Sequence, residues 1–126
     1  MNGDVSEIHV FKILRPEECA ILVQAFEFKG SEHDIRDGFV HLSSAGQAPG
    51  TAAKHFAQDG DLWLLGLEVA ALGESLHWEE SRGGALFPHL YREIAFSDVS
   101  WIRPLPRGAQ GRHLFPTGFA WGEAGA

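Results

Sequence analysis

The segment Asp37-Gly38-Phe39-Val40-His41-Leu42-Ser43 sets a histidine and a serine two positions apart behind a glycine turn. On a strand, residues two apart share a face, so His41, Ser43 and Phe39 would project into one space. An imidazole and a hydroxyl placed together can hydrogen-bond a sugar hydroxyl, an amide or a phosphate. The plainer alternative is a histidine satisfied by a main-chain carbonyl, and this segment alone leaves both readings open.

A second stretch, Ser81-Arg82-Gly83-Gly84 through Tyr91, has a different chemistry. Its two glycines let a backbone approach a ligand closely. Arg82 can form a paired contact with phosphate or carboxylate. His89 and Tyr91 share a face if the chain is extended here. The alternative is a hairpin loop with Arg82 paired to Glu79 or Glu80. Trp78-Glu79 joins an aromatic platform to an acid that can orient a hydroxyl or act as a general base. Lys12, among Phe11, Ile13 and Leu14, is expected to face solvent; turned inward, it would hold an anion.

Some chemistries lack their signatures. The chain has seven histidines but no HExxH arrangement. A metal site on His41 and His89 would need a third ligand that the sequence does not point out, so no metal ligand is assigned. The nucleophile elbow Gly-x-Ser-x-Gly is missing, and the glycine pair is too short for a dinucleotide or phosphate-loop fingerprint. The single cysteine, Cys19, cannot form an internal disulfide and reads as a small buried hydrophobe.

The elements that must position these groups follow from pattern. Residues 8–14 read as a first strand. Pro16-Glu17-Glu18 opens a helix through about Ala25, with proline and acids suited to its first turn. Residues 34–38 are polar and turn-like, and residues 39–43 form a short strand. Ser44 or Thr51 caps a helix through about Gln58. Residues 62–69 are the most apolar run and should be a central strand. Residues 70–73 read as a turn, 76–80 as a short strand, and 81–84 as a flexible loop. Pro88 makes 87–91 a strand beginning, an edge or a loop. Residues 93–99 form a last strand ending near Trp101. Beyond Arg103, prolines and glycines predict a tail packed on the domain without regular structure, through Leu105, Leu114, Phe115, Phe119 and Trp121.

The totals fit one domain, residues 1–126, with a core of about 8–102 and an irregular tail of 103–126. The chain is 44% hydrophobic and 21% charged, enough to bury one core. A net charge of -7 argues against extended nucleic-acid binding and against attachment to an anionic membrane. The polar first residues are no signal peptide, and a cytoplasmic protein is the simplest expectation.

Several phrases resemble, in order, a known bacterial family. They are Val10-Phe11-Lys12-Ile13-Leu14, Phe28-Lys29-Gly30-Ser31 with Asp34, the segment from Asp37 to Ser43 with Gln47, Thr51-Ala52-Ala53-Lys54-His55-Phe56, Leu76-His77-Trp78-Glu79, and the run from Ser81 to Tyr91. Together they are similar to the domain of unknown function 952 over roughly residues 8–100. The resemblance implies a fold grouped with the ADP-ribosyltransferases, whose split sheet holds NAD in a cleft. Within that group it is nearest the RNA 2'-phosphotransferase branch, and His41-Leu42-Ser43 matches a strand ending there. Those relatives often carry a Tyr-His pair on an early strand, where this chain has Phe11 and Lys12.

The resulting expectation is a single α+β domain with a split or strongly bent antiparallel sheet and about two helices. One cleft is bordered by His41, Ser43, Arg82, His89 and Tyr91, with Lys12 and Glu79 as further members. The cleft would serve a nucleotide-binding enzyme or degenerate enzyme, a transferase acting on NAD or a nucleotide. His41, His89 and Glu79 would be catalytic, and Lys12, Ser43, Arg82 and Tyr91 would hold the cofactor. Tyr91 or Trp78 would stack on a ring. The alternative is a non-catalytic ligand- or protein-binding module of the same fold, and a weaker one is a metal-dependent hydrolase.

Overall fold

The apolar run Leu62–Glu68 (β4) is the middle strand of an antiparallel sheet, between His9–Leu14 (β1) and Val99–Leu105 (β8). The computed structural model describes residues 8–116, and of Arg82 the backbone alone. Alternation sends Leu65 and Leu67 to one buried cluster with Val10, Leu14, Leu22, Phe28, Val40, Leu90 and Ile94. It sends Leu62 and Leu64 to another with Phe11, Ile13, Leu105, Ala48 and Ala52. Both faces of this sheet are therefore covered. Gly66 admits the Trp101 ring, which a β-carbon would meet at 2.4 Å.

A second three-stranded sheet has the order β3-β6-β5, made of Val40–His41 (β3), Leu86–Leu90 (β6) and Leu76–Glu80 (β5). A two-stranded sheet pairs Glu27–Phe28 (β2) with Ile94–Ala95 (β7). A single bridge, Phe11 to Ser43, joins the first two sheets through reciprocal backbone hydrogen bonds of 2.8 and 2.9 Å. The cleft opens beside that bridge.

Four α-helices accompany the strands among the described residues, where about two were expected: Pro16–Ala25 (α1), Glu32–Asp37 (α2), Ala48–His55 (α3) and Val69–Leu72 (α4). The polar stretch read as a turn at 34–38 is mostly helix α2. Ser31 caps it by accepting from the Asp34 N–H, and the Asp34 carboxylate accepts from the Ser31 N–H in return. The helix at 48–55 begins between the two expected caps, Ser44 and Thr51, and ends short of Gln58; ahead of it the Gln47 side chain turns back to accept from the Ser44 N–H.

Two further expectations are corrected. Pro88 lies in the middle of a central strand rather than at an edge. On the side of short β3 its residue serves as an acceptor, from Leu42 N–H at 3.0 Å, so the missing donor costs no ladder bond in the two-residue β3 pairing. β8 continues through Pro104 to Leu105, two residues past the predicted break. Beyond it Arg107 bridges His113 and Phe115 packs on the second cluster, while Phe119 and Trp121 lie outside the described residues. No described helix is long and apolar enough to cross a membrane.

Candidate functional site

Asp34 organises one wall of the cleft. Its side chain is 1% exposed, and four donors reach its two oxygens. Oδ2 accepts from Lys12 Nζ and the Ser31 N–H, both at 2.9 Å. Oδ1 accepts from the His41 N–H at 3.0 Å and from His41 Nδ1 at 2.6 Å. Burial alone would raise this carboxyl, but the His41 hydrogen bond and the Lys12 charge outweigh it and hold Asp34 well below the usual carboxylate range. Gly30 leaves room for this arrangement, since a β-carbon there would lie 2.7 Å from Asp34 Cβ.

Lys12 is buried, contrary to the solvent-facing expectation. It sits on the β1 face that carries Val10 and Leu14, and that face is sealed by the core. A cation there needs a partner, and Asp34 provides it. Nζ also donates to the His41 carbonyl at 3.0 Å. The ammonium thus holds β1, α2 and β3 together, with its charge directed at Asp34.

His41 turns its other nitrogen outward. Nε2 lies 3.1 Å from Asp37 Oδ2, and His33 Nε2 lies 3.4 Å from the same oxygen. The His33 and His41 rings are 4.4 Å apart. His33 Nδ1 contacts the Arg36 guanidinium. Burial, together with the nearby His33 and His41 charges, pushes the adjacent His55 below its ordinary value.

The second wall comes from β5 and β6. His89 is 6% exposed. Its Nδ1 is 2.7 Å from Glu79 Oε1, which also accepts from the Tyr91 hydroxyl at 2.8 Å. These hydrogen bonds lower the Glu79 carboxyl and raise the Tyr91 phenol relative to their ordinary values. Phe39 stacks on His89 with centroids 4.1 Å apart and touches the His41 ring at 4.6 Å. The His41 and His89 rings are 5.5 Å apart, edge to face. Among the described residues, His89 Nε2 makes no hydrogen bond.

Both histidines border a cleft of ≈ 670 Å³ that also reaches Ser43, Thr51, Lys54 and Phe87. Ser43 is buried with its hydroxyl 3.0 Å from that of Thr51. Thr51 donates to the Gln47 carbonyl at 3.2 Å. Thr51 having spent its proton, Ser43 donates to Thr51 and keeps lone pairs for a ligand hydroxyl.

The fold thus gathers His41, Ser43 and His89 at the cleft, with Lys12 beneath. Glu79 stands behind His89 and contacts it, and Tyr91 contacts Glu79 in turn; neither lines the cavity. Trp78 packs on the core instead of offering a platform. The Arg82 side chain lies outside the described residues. Sequence reasoning passed over His33 and Thr51 as site members and gave Asp37, at the start of the first segment, only a turn role; the spacing His33-x3-Asp37-x3-His41 was the available signal for His33 and Asp37. It also did not foresee Asp34 as the buried partner of both Lys12 and His41.

Comparisons with known proteins agree with this architecture. The crystal structure of protein CC0527 from Caulobacter crescentus is similar with a TM-score of 0.80 and 44% identity, over 84% of this chain and 93% of that one. The solution NMR structure of the same protein gives a TM-score of 0.74 and 45% identity, over 82% and 90%. Among curated proteins none matches the chain. The model of the family described as "Protein of unknown function (DUF952)" matches residues 13–102, and the chain belongs to that family.

Proposed function

We propose that the cleft binds a small ribose-bearing ligand of the nucleotide class, NAD among them, and that His89 acts on it as a general acid–base. One observation carries this reading. A buried imidazole has one nitrogen fixed by Glu79 while the other makes no hydrogen bond among the described residues, at the edge of a cavity of ligand size. A buried polar nitrogen without a partner is costly, and a ligand or water that hydrogen-bonds it removes the cost. Glu79 sets the ring orientation, as carboxylates behind catalytic imidazoles do.

The surrounding groups favour a hydroxylated ligand. Ser43 offers lone pairs, and Phe11, Ile13, Phe56 and Phe87 supply an apolar wall for a flat ring. Lys54, exposed at the rim, is placed for a phosphate. Isothermal titration with NAD, ADP-ribose and a 2'-phosphorylated oligonucleotide tests this. Saturable heat with at least one of them is expected, with product formation lowered about 10²–10⁴-fold by His89→Ala. Heat without turnover would leave a binding module, and no heat at millimolar ligand would remove the proposal.

A further inference from the structure

We infer that His33, Asp37 and His41 hold one divalent first-row transition-metal ion, with Zn²⁺ the natural probe. The site goes beyond the acid–base reading. It uses neither His89 nor Glu79, and it stands or falls separately.

His33 and Asp37 are four residues apart on α2 and so lie on one face of the helix. The Gly38 turn then brings His41 on β3 alongside. Two ligands about 2.1 Å from a shared tetrahedral ion stand about 3.4 Å from each other. Asp37 Oδ2 is 3.1 Å from His41 Nε2 and 3.4 Å from His33 Nε2. All three ligand atoms lie within 4.8 Å of one another, and His33 is exposed, so a small rotation of its ring on release from Arg36 would close the remaining gap.

The Asp34 carboxylate can only accept, and it is filled by four donors, so His41 Nδ1 carries a proton. In the neutral ring, Nε2 then aims a lone pair at Asp37 Oδ2, acceptor against acceptor. Either a shared cation or a second ring proton resolves that contact. A buried carboxylate that fixes the ligating tautomer is what metal-bound histidines commonly have behind them. Asp34 is 1% exposed and serves this role for His41.

Two histidines and one carboxylate suit a borderline ion such as Zn²⁺ rather than Mg²⁺ or Ca²⁺, and three protein ligands leave a position open toward the cleft. The ion would restore positive charge at the cavity where Lys12 is neutralised by Asp34. One group opposes it. The Arg36 guanidinium contacts His33 Nδ1 and sits 3.7 Å from Asp37 Oδ1. Its side chain is 67% exposed and can swing into water.

Co²⁺ titration of the untagged full-length chain, read by visible absorption and by displacement with Zn²⁺, tests the site. One equivalent with the intense bands of a four-coordinate ion is expected. His33→Ala and Asp37→Asn should each weaken binding by more than about tenfold, while His89→Ala should leave it unchanged. Arg36→Ala should tighten it, an effect that a purely structural role of the cluster would not produce. His33 and Arg36 are exposed, so their variants keep the fold, as circular dichroism will check. Absence of saturable binding, or binding indifferent to His33→Ala and Asp37→Asn, overturns the site and assigns a proton to the His41–Asp37 contact. Nucleotide titration without metal reports separately on the His89 proposal.

Discussion

The two walls of the cleft each pair a carboxylate with an imidazole, but with burial inverted. In Asp34–His41 the acid is 1% exposed and the ring 30%. In Glu79–His89 the ring is 7% exposed and the acid 40%. The buried member decides what each pair does. A buried carboxylate must be compensated whatever the function, so Asp34 collects Lys12, two main-chain N–H groups and His41, and becomes part of the fold. Glu79 is solvated and contributes mainly by orienting His89. The first wall is built to hold, and the second is the one that carries the proposed acid–base role.

Asp34→Asn breaks the first wall and should have the largest effect. It strands Lys12 as a buried charge without its partner, a loss of about 3–5 kcal/mol. Chemical denaturation should show it, with the midpoint falling and the slope preserved.

The pH dependence of stability sharpens the same contrast. Asp34 has its folded value lowered below the unfolded one, which is about 3.9. Its contribution is therefore complete above that value and is lost as pH falls toward the folded value. Stability measured from neutral pH downward should drop below about pH 4. In the D34N protein this part of the acid limb should be absent.

The smallest effect belongs to the second wall. Glu79→Gln should leave the melting temperature close to that of the parent. It should move the ionisation of Tyr91 back down toward its ordinary value, because the carboxylate that accepts from the phenol is what raises it. The chain has one tyrosine, so phenolate absorbance reads this directly. A large loss of stability in E79Q would abolish the distinction between the walls.

Much of the frame was legible. The start and end of α1, the central place of β4, and β5 follow from proline placement, apolar runs and alternation. Helix α2 was not, since six mostly polar residues carry no apolar period; what holds it is the capping box and the tertiary partners of Asp34. Pro88 misled because its effect depends on how far the neighbouring strand extends, and β3 is only two residues long.

Residue types and their spacing along the chain determined that His41 and Ser43 would lie close, that His89 and Tyr91 would share a side, and that the family motifs occur in order. Tertiary structure alone decided which charges are buried. Lys12 has no free face because both sides of its sheet are covered, and Asp34 meets it across 22 positions of sequence. Long-range pairing of this kind depends on which surfaces exclude water, a property of the packed layers that no local pattern carries.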